Sequence, residues 1–95
     1  KHAVLGLVKN TAFNYRSQLR CNAICPGGIA TEMVSPEAFA NASQKGLASV
    51  MLANQFQTPM ATPLQIAEVA LFLASDDSSI VNGAVVTADS GLTTF

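Results

Sequence analysis

Arg20-Cys21-Asn22-Ala23-Ile24-Cys25-Pro26-Gly27-Gly28 is the stretch that decides how this chain folds. From Leu19 to Cys25 the residues form a short, mostly apolar run without helical period, and Pro26-Gly27-Gly28 stops it. Such a run reads as a buried strand that delivers the chain into a loop at its carboxyl end. Upstream, Val4, Leu7, Val8, Ala12, Tyr15 and Leu19 recur at three- and four-residue intervals and so share one face of a helix. Ala3 and Leu5 widen that stripe, which predicts a helix covered from more than one side. Gly6 predicts a close neighbour, because glycine costs about 1 kcal/mol in a helix interior and is tolerated where another backbone passes.

Downstream, Ser35-Pro36-Glu37 supplies a cap, a proline at the first helical position and an acid in the first turn, so a short helix is expected to about Gln44. Gly46 suits its end, and Leu47, Val50, Met51 and Asn54 predict a second short helix that stops before Pro59. Thr62-Pro63-Leu64-Gln65 is a capping box, followed by an amphipathic face of Ile66, Val69, Ala70 and Leu73. Asp76, Asp77, Ser78 and Ser79 break that helix. After a turn at Gly83, Ala84 to Ala88 reads as a second strand, closed by Asp89-Ser90-Gly91. The order is helix, strand, helical insertion over about residues 32–60, helix, strand. Strands separated by helices imply an α/β domain with a parallel sheet, here spanning residues 1–95 without repeats or linkers. Parallel strands are normally buried on both faces, so two of them need further neighbours.

Composition agrees with that need. Of 95 residues, 49% are hydrophobic and 12% charged, against roughly a quarter charged in an ordinary soluble domain. The surplus apolar surface calls for a partner: further sequence, a second subunit, or both. The first helix lacks a capping residue and places Lys1 at the positive end of the helix dipole, so it is expected to continue upstream, with residue 1 a cut. No run approaches the roughly 18–20 apolar residues of a membrane span. A net charge of −1 with no basic run argues against nucleic-acid partners. Within one strand Cys21 and Cys25 would lie about 13 Å apart, beyond disulfide reach, and with a single histidine the ligand count excludes zinc. Reduced thiols in a strand fit a cytoplasmic protein and read as small core hydrophobes. His2 reads as a surface side chain.

Four segments, in order, resemble the classical short-chain dehydrogenase/reductases. Lys1-His2-Ala3-Val4-Leu5-Gly6-Leu7 resembles the segment opened by the lysine of that family's Tyr-x-x-x-Lys motif. Arg20 to Gly27 resembles the strand that runs into a Pro-Gly turn, Gly28-Ile29-Ala30-Thr31-Glu32-Met33 its continuation, and Asn82 to Gly91 the closing strand. The resemblance implies the carboxyl-terminal part of a Rossmann-like, doubly wound parallel sheet. It further implies an oxidoreductase that moves hydride between NAD or NADP and an alcohol or carbonyl, similar to 3-oxoacyl-carrier-protein reductases or to sugar and polyol dehydrogenases.

By that resemblance Lys1 is catalytic: its ammonium favours the phenolate of a tyrosine four residues earlier on the same helix face and also bonds the nicotinamide ribose. Pro26, Gly27, Ile29 and Thr31 would bind the cofactor. Glycine lets the backbone approach the nicotinamide, the Ile29 main chain bonds its carboxamide and the Thr31 hydroxyl assists. The site would hold no metal. Residues 32–60 correspond to the substrate loop, a flexible lid for which Met33, Phe39, Leu47, Met51 and Phe56 supply an apolar lining. Residues 1–95 alone would be inactive, and the parent protein would be a homodimer or homotetramer acting on a small molecule. The alternative is a non-catalytic scaffold of the same fold, or a self-associating interaction fragment. One departure stands at Asp89-Ser90-Gly91, where the family commonly has Asp-Gly-Gly; serine tolerates positive φ poorly, which predicts a strained turn.

Overall fold

The computed structural model describes residues 1–55 and 58–94, with residues 53 and 54 described only by their place in a helix. Phe56 and Phe95 lie outside the described residues. The chain runs through α1 (His2–Asn14), β1 (Ala23–Pro26), α2 (Pro36–Ala40), α3 (Gln44–Asn54), α4 (Pro63–Ala74) and β2 (Val85–Ala88), with single 3-10 turns at Glu32–Val34 and Asp76–Ser78. β1 and β2 pair in parallel, Ala23 opposite Val85 and Pro26 opposite Ala88. The architecture is therefore α/β with a parallel sheet.

β1 begins later than its apolar run, at Ala23 instead of Leu19, because the residues before it are bonded sideways. The Arg20 guanidinium donates to Ser78 Oγ at 2.9 Å, Ser75 O at 3.0 Å and Val81 O at 3.2 Å. Cys21 N–H donates to Asn82 Oδ1 at 2.8 Å. Asn22 donates to Val81 O and accepts from Ala84 N–H, both at 2.9 Å. Asn82 reaches across to Ala12 O of α1 at 3.2 Å. These side chains fasten the amino ends of both strands to α1 and to the turn after α4. Ala23 N–H donates to Ala84 O at the amino end of the pair and Gly27 N–H to Ala88 O at the carboxyl end. With a strand period of two, the nitrogen of Pro26 faces away from β2, so its missing N–H breaks no bond of the ladder.

Three helix expectations change. α1 ends at Asn14, not Leu19: the Asn14 amide bonds back to Asn10 O at 2.9 Å, Tyr15 leaves helical geometry, and Leu19 N–H closes a turn on Tyr15 O. α2 stops at Ala40, although Ser35 caps it as expected, accepting from Ala38 N–H at 3.1 Å. Gly46 ends nothing; it lies within the first turn of α3. α4 agrees in full, with both bonds of the Thr62–Gln65 capping box formed.

The interior is thin. Among the described residues Ala12 is the one buried hydrophobic side chain, set against Gly83, while Leu64, Leu71 and Ile80 are 69%, 70% and 95% exposed. Accessible surface totals 7381 Å², against about 5,200 Å² expected for a compact monomer of this mass. The two cysteines are half-buried and free, and Cys21 precedes the strand. Outside its own helix, no described atom stands within 4 Å of where a Cβ on Gly6 would lie, so the described residues do not make the close approach that this glycine predicts. No helix among the described residues is long and apolar enough to cross a membrane.

Candidate active site

A cavity of about 560 Å³ runs along β1, lined by all four of its residues, Ala23 to Pro26, and by Lys1, His2, Val4 and Leu5 at the start of α1. Lys1 stands at the N-cap position of α1, where its ammonium, a donor only, cannot cap the helix N–H groups. His2 is exposed, as expected, yet also borders this cavity. Of the residues singled out in the sequence, Lys1 and Pro26 thus share one wall. Gly27, Ile29 and Thr31 are not part of that lining and follow along the loop that leaves β1.

Each of those three is held in its own way. Gly27 sits against the end of β2: a Cβ there would stand 2.9 Å from both Cα and Cβ of Asp89. Asp89 is buried, and its carboxylate accepts from Gly91 N–H and Thr93 N–H, each at 3.0 Å, and from the Thr93 hydroxyl at 2.6 Å. The Thr93 hydroxyl, above all, holds the Asp89 carboxyl below its ordinary range; burial opposes this, and the backbone N–H groups of Gly91 and Thr93 add to it. The corner beyond carries Ser90 at φ 55° and Gly91 at φ 86°, so the strained serine turn expected from the sequence is present.

Ile29 forms a parallel bridge with Ala61: Ala61 N–H donates to Gly28 O and Ala30 N–H donates to Ala61 O, both at 2.9 Å. This pair closes the base of the insertion. Ile29's own N–H and C=O lie on the other side of the chain and take no part in it. Thr31 caps the following 3-10 turn through its backbone only, which leaves its hydroxyl unused there. An unpaired N–H and C=O at Ile29, a spare hydroxyl at Thr31 and a cation at Lys1 suit the amide, ribose and ring of a nicotinamide nucleotide.

Residues 1–93 match the family described as Enoyl-(Acyl carrier protein) reductase. The chain belongs to the short-chain dehydrogenase/reductases. Within that family it is 38% identical over 102 residues to a short-chain dehydrogenase/reductase of Talaromyces verruculosus, covering all of this chain and 40% of the relative. It is likewise 38% identical to 3beta-hydroxysteroid dehydrogenase 2 of Eggerthella lenta, covering 36% of that protein. Among solved short-chain dehydrogenase/reductase structures, 4-hydroxyisoleucine dehydrogenase complexed with NADH superposes with TM-score 0.76 at 34% identity, over 99% of this chain and 37% of that one. The ligand-free aldohexose dehydrogenase of Thermoplasma acidophilum gives TM-score 0.78 at 30% identity, over 99% of this chain and 39% of that one. The sheet is therefore Rossmann-like, and the chain spans about 40% of the length of the curated relatives it matches.

Sequence reading missed the residues that tie the amino ends of the two strands together. Arg20, Asn22, Ser78 and Asn82 carry no local signature, because their partners lie about 60 residues away. Ala61 has no polar side chain to mark it. Cys25, read as a core residue, is half-buried and borders the cavity beside Lys1.

Proposed function

We propose that residues 1–95 are the carboxyl-terminal part of an oxidoreductase that transfers hydride between NAD or NADP and a small alcohol or carbonyl substrate. The observation that carries this reading is the Ile29 bridge. It turns one free N–H and one free C=O to the same side of the loop that leaves the carboxyl end of a parallel strand, while Lys1 and that strand line a common cavity. Ligands of open α/β sheets bind at that end. Two relatives named for alcohol-oxidising activities, a hydroxysteroid and an aldohexose dehydrogenase, and one neighbour holding NADH support the class of reaction.

Nicotinamide supplies the hydride chemistry when bound. Lys1 lowers the cost of a phenolate on a tyrosine supplied by the rest of the protein and bonds the ribose. Ile29 holds the carboxamide through its main chain, Thr31 adds a hydroxyl, Gly27 binds through its main chain while packing its Cβ-free side against Asp89, and Pro26 shapes the wall. Residues 32–60 act as the substrate lid. Residues 1–95 alone are inactive, and the complete protein is a cytoplasmic homodimer or homotetramer.

The test uses the complete protein that carries this chain. Thr31→Ala removes one hydrogen bond and is expected to raise the cofactor dissociation constant by about twofold to tenfold. Fluorescence titration with NADH and NADPH reads it. An unchanged constant, or no binding of either nucleotide by the unmutated protein, would overturn the reading.

A further inference from the structure

The Ile29 bridge is fixed from behind by a residue that touches none of the proposed ligand. Ala61 C=O accepts from Ala30 N–H at 2.9 Å, and the same peptide unit carries Thr62 N–H, which donates to Gln65 Oε1 at 2.8 Å. Because a trans peptide is planar, with its C=O and N–H pointing opposite ways, the orientation of one end sets the other. Following the bonds gives one continuous line: Gln65 Oε1, Thr62 N–H, Ala61 C=O, Ala30 N–H, Ile29 C=O. The remaining bond, Ala61 N–H to Gly28 O, sets the plane that ends in Ile29 N–H. Ile29 C=O is therefore aimed through the Ala61–Thr62 peptide that the Gln65 side chain holds, whereas Ile29 N–H is aimed through the Met60–Ala61 peptide.

We infer that Gln65 is a positioning residue: its side-chain oxygen, acting through the Ala61–Thr62 peptide, orients the Ile29 carbonyl toward the nicotinamide end of the cofactor. This rests on the functional reading above. The oxygen assignment follows from donor chemistry, since Thr62 N–H requires an acceptor and only one of the two Gln65 amide atoms is one. Hydrogen bonds in line polarise one another, so losing the terminal acceptor both loosens the peptide plane and weakens each bond toward Ile29. A glutamine in a capping box ordinarily does no more than begin a helix. Here the capped residue directly follows the bridge that pins the ligand loop, and the two duties fall on one atom.

Gln65→Met keeps length and helix propensity and removes the acceptor, whereas Gln65→Glu keeps an acceptor. Both are made in the complete protein, beside Thr31→Ala, and titrated with NADH or NADPH and with ADP-ribose or its 2′-phosphate, which lack the nicotinamide. The expected result is a dinucleotide constant raised roughly threefold to tenfold by Gln65→Met and restored in Gln65→Glu, with the ADP-ribose constant unchanged in both variants. Equal weakening of both ligands would reveal a merely structural role and overturn the inference. So would an unchanged dinucleotide constant in Gln65→Met where Thr31→Ala still weakens binding. If neither variant alters dinucleotide binding, the functional reading itself falls and the inference with it.

Discussion

Replacing Gly27 by alanine tests the junction on which the proposed site is built. The added Cβ would stand 2.9 Å from Cα and from Cβ of Asp89 and 3.3 Å from its carbonyl oxygen, where carbon pairs prefer about 3.5–4.0 Å. One strand end must then move by about 0.6 Å or more, the difference between those two separations. No side chain can swing aside, since the obstacle is Asp89's main chain and the root of a side chain held by three hydrogen bonds. Moving β1 instead stretches the Gly27 N–H to Ala88 O bond, already 3.1 Å. Overpacking of this kind costs about 1–3 kcal/mol, and the reduced freedom of the unfolded chain returns about 0.4–1 kcal/mol. A net loss of roughly 1–2 kcal/mol is expected. Urea unfolding of the complete protein measures it as a lower midpoint at constant slope. Gly28→Ala is the control: its Cβ would meet only Met60 Cγ, at 3.5 Å, and should change stability by less than about 0.5 kcal/mol. Equal stability of the two variants would refute the contact argument.

Two further outcomes follow from the corner after β2. Ser90→Gly should raise the urea midpoint by an amount equivalent to about 0.5–1 kcal/mol, because Ser90 sits at φ 55° where an L side chain is strained and glycine is not; a lower midpoint would mean that the Ser90 side chain contributes something the strain does not outweigh. The Asp89 carboxyl titrates below its ordinary value of 3.8 in the folded protein. Its contribution is therefore complete above that value and lost as pH falls through the lower folded one. Thr93→Val removes the largest cause of the shift, so unfolding midpoints between roughly pH 5 and pH 2 should vary less steeply with pH than in the unmutated protein, and an unaltered slope would place the acid sensitivity elsewhere.

What the sequence discloses divides by the range of the forces involved. The Thr62–Gln65 box and the Ser35 cap are legible because every partner lies within three residues, and both form as read. β2 is legible for a similar reason, as β-branched residues between a turn glycine and an acidic corner. The start of β1 is not: Arg20, Cys21 and Asn22 are drawn out of the strand by Ser78, Val81 and Asn82, and no local pattern announces bonds over such separations. Gly46 misleads because glycine marks helix ends only by habit, and a helix starting at Gln44 meets it in its first turn. In the site, Pro26, Gly27, Ile29 and Thr31 are reached by family resemblance, not by periodicity. The physical need for glycine at 27 comes from Asp89, 62 residues on, and emerges only once the two strand ends are brought together.

The two ends of this short sheet are built differently, and the difference bears on the proposed site. At the amino ends, four polar side chains tie β1, β2, α1 and the turn after α4 into a network in which no buried side-chain polar atom among the described residues lacks a partner. Such a network is stiff and leaves no group free for a ligand. At the carboxyl ends the strands are joined by backbone alone, Gly27 against Asp89 and Ile29 beside Ala61, while the Asp89 carboxylate turns back into its own corner. Contact through glycine and main chain brings the strands together without filling the space in front of them. The free N–H and C=O of Ile29 and the Thr31 hydroxyl then remain as groups with unspent bonding capacity on the loop that leaves β1, while Lys1 lines the cavity along that strand. Rigidity at one end and unspent donors at the other is the arrangement a cofactor site requires, since its groups must be held in place before the ligand arrives.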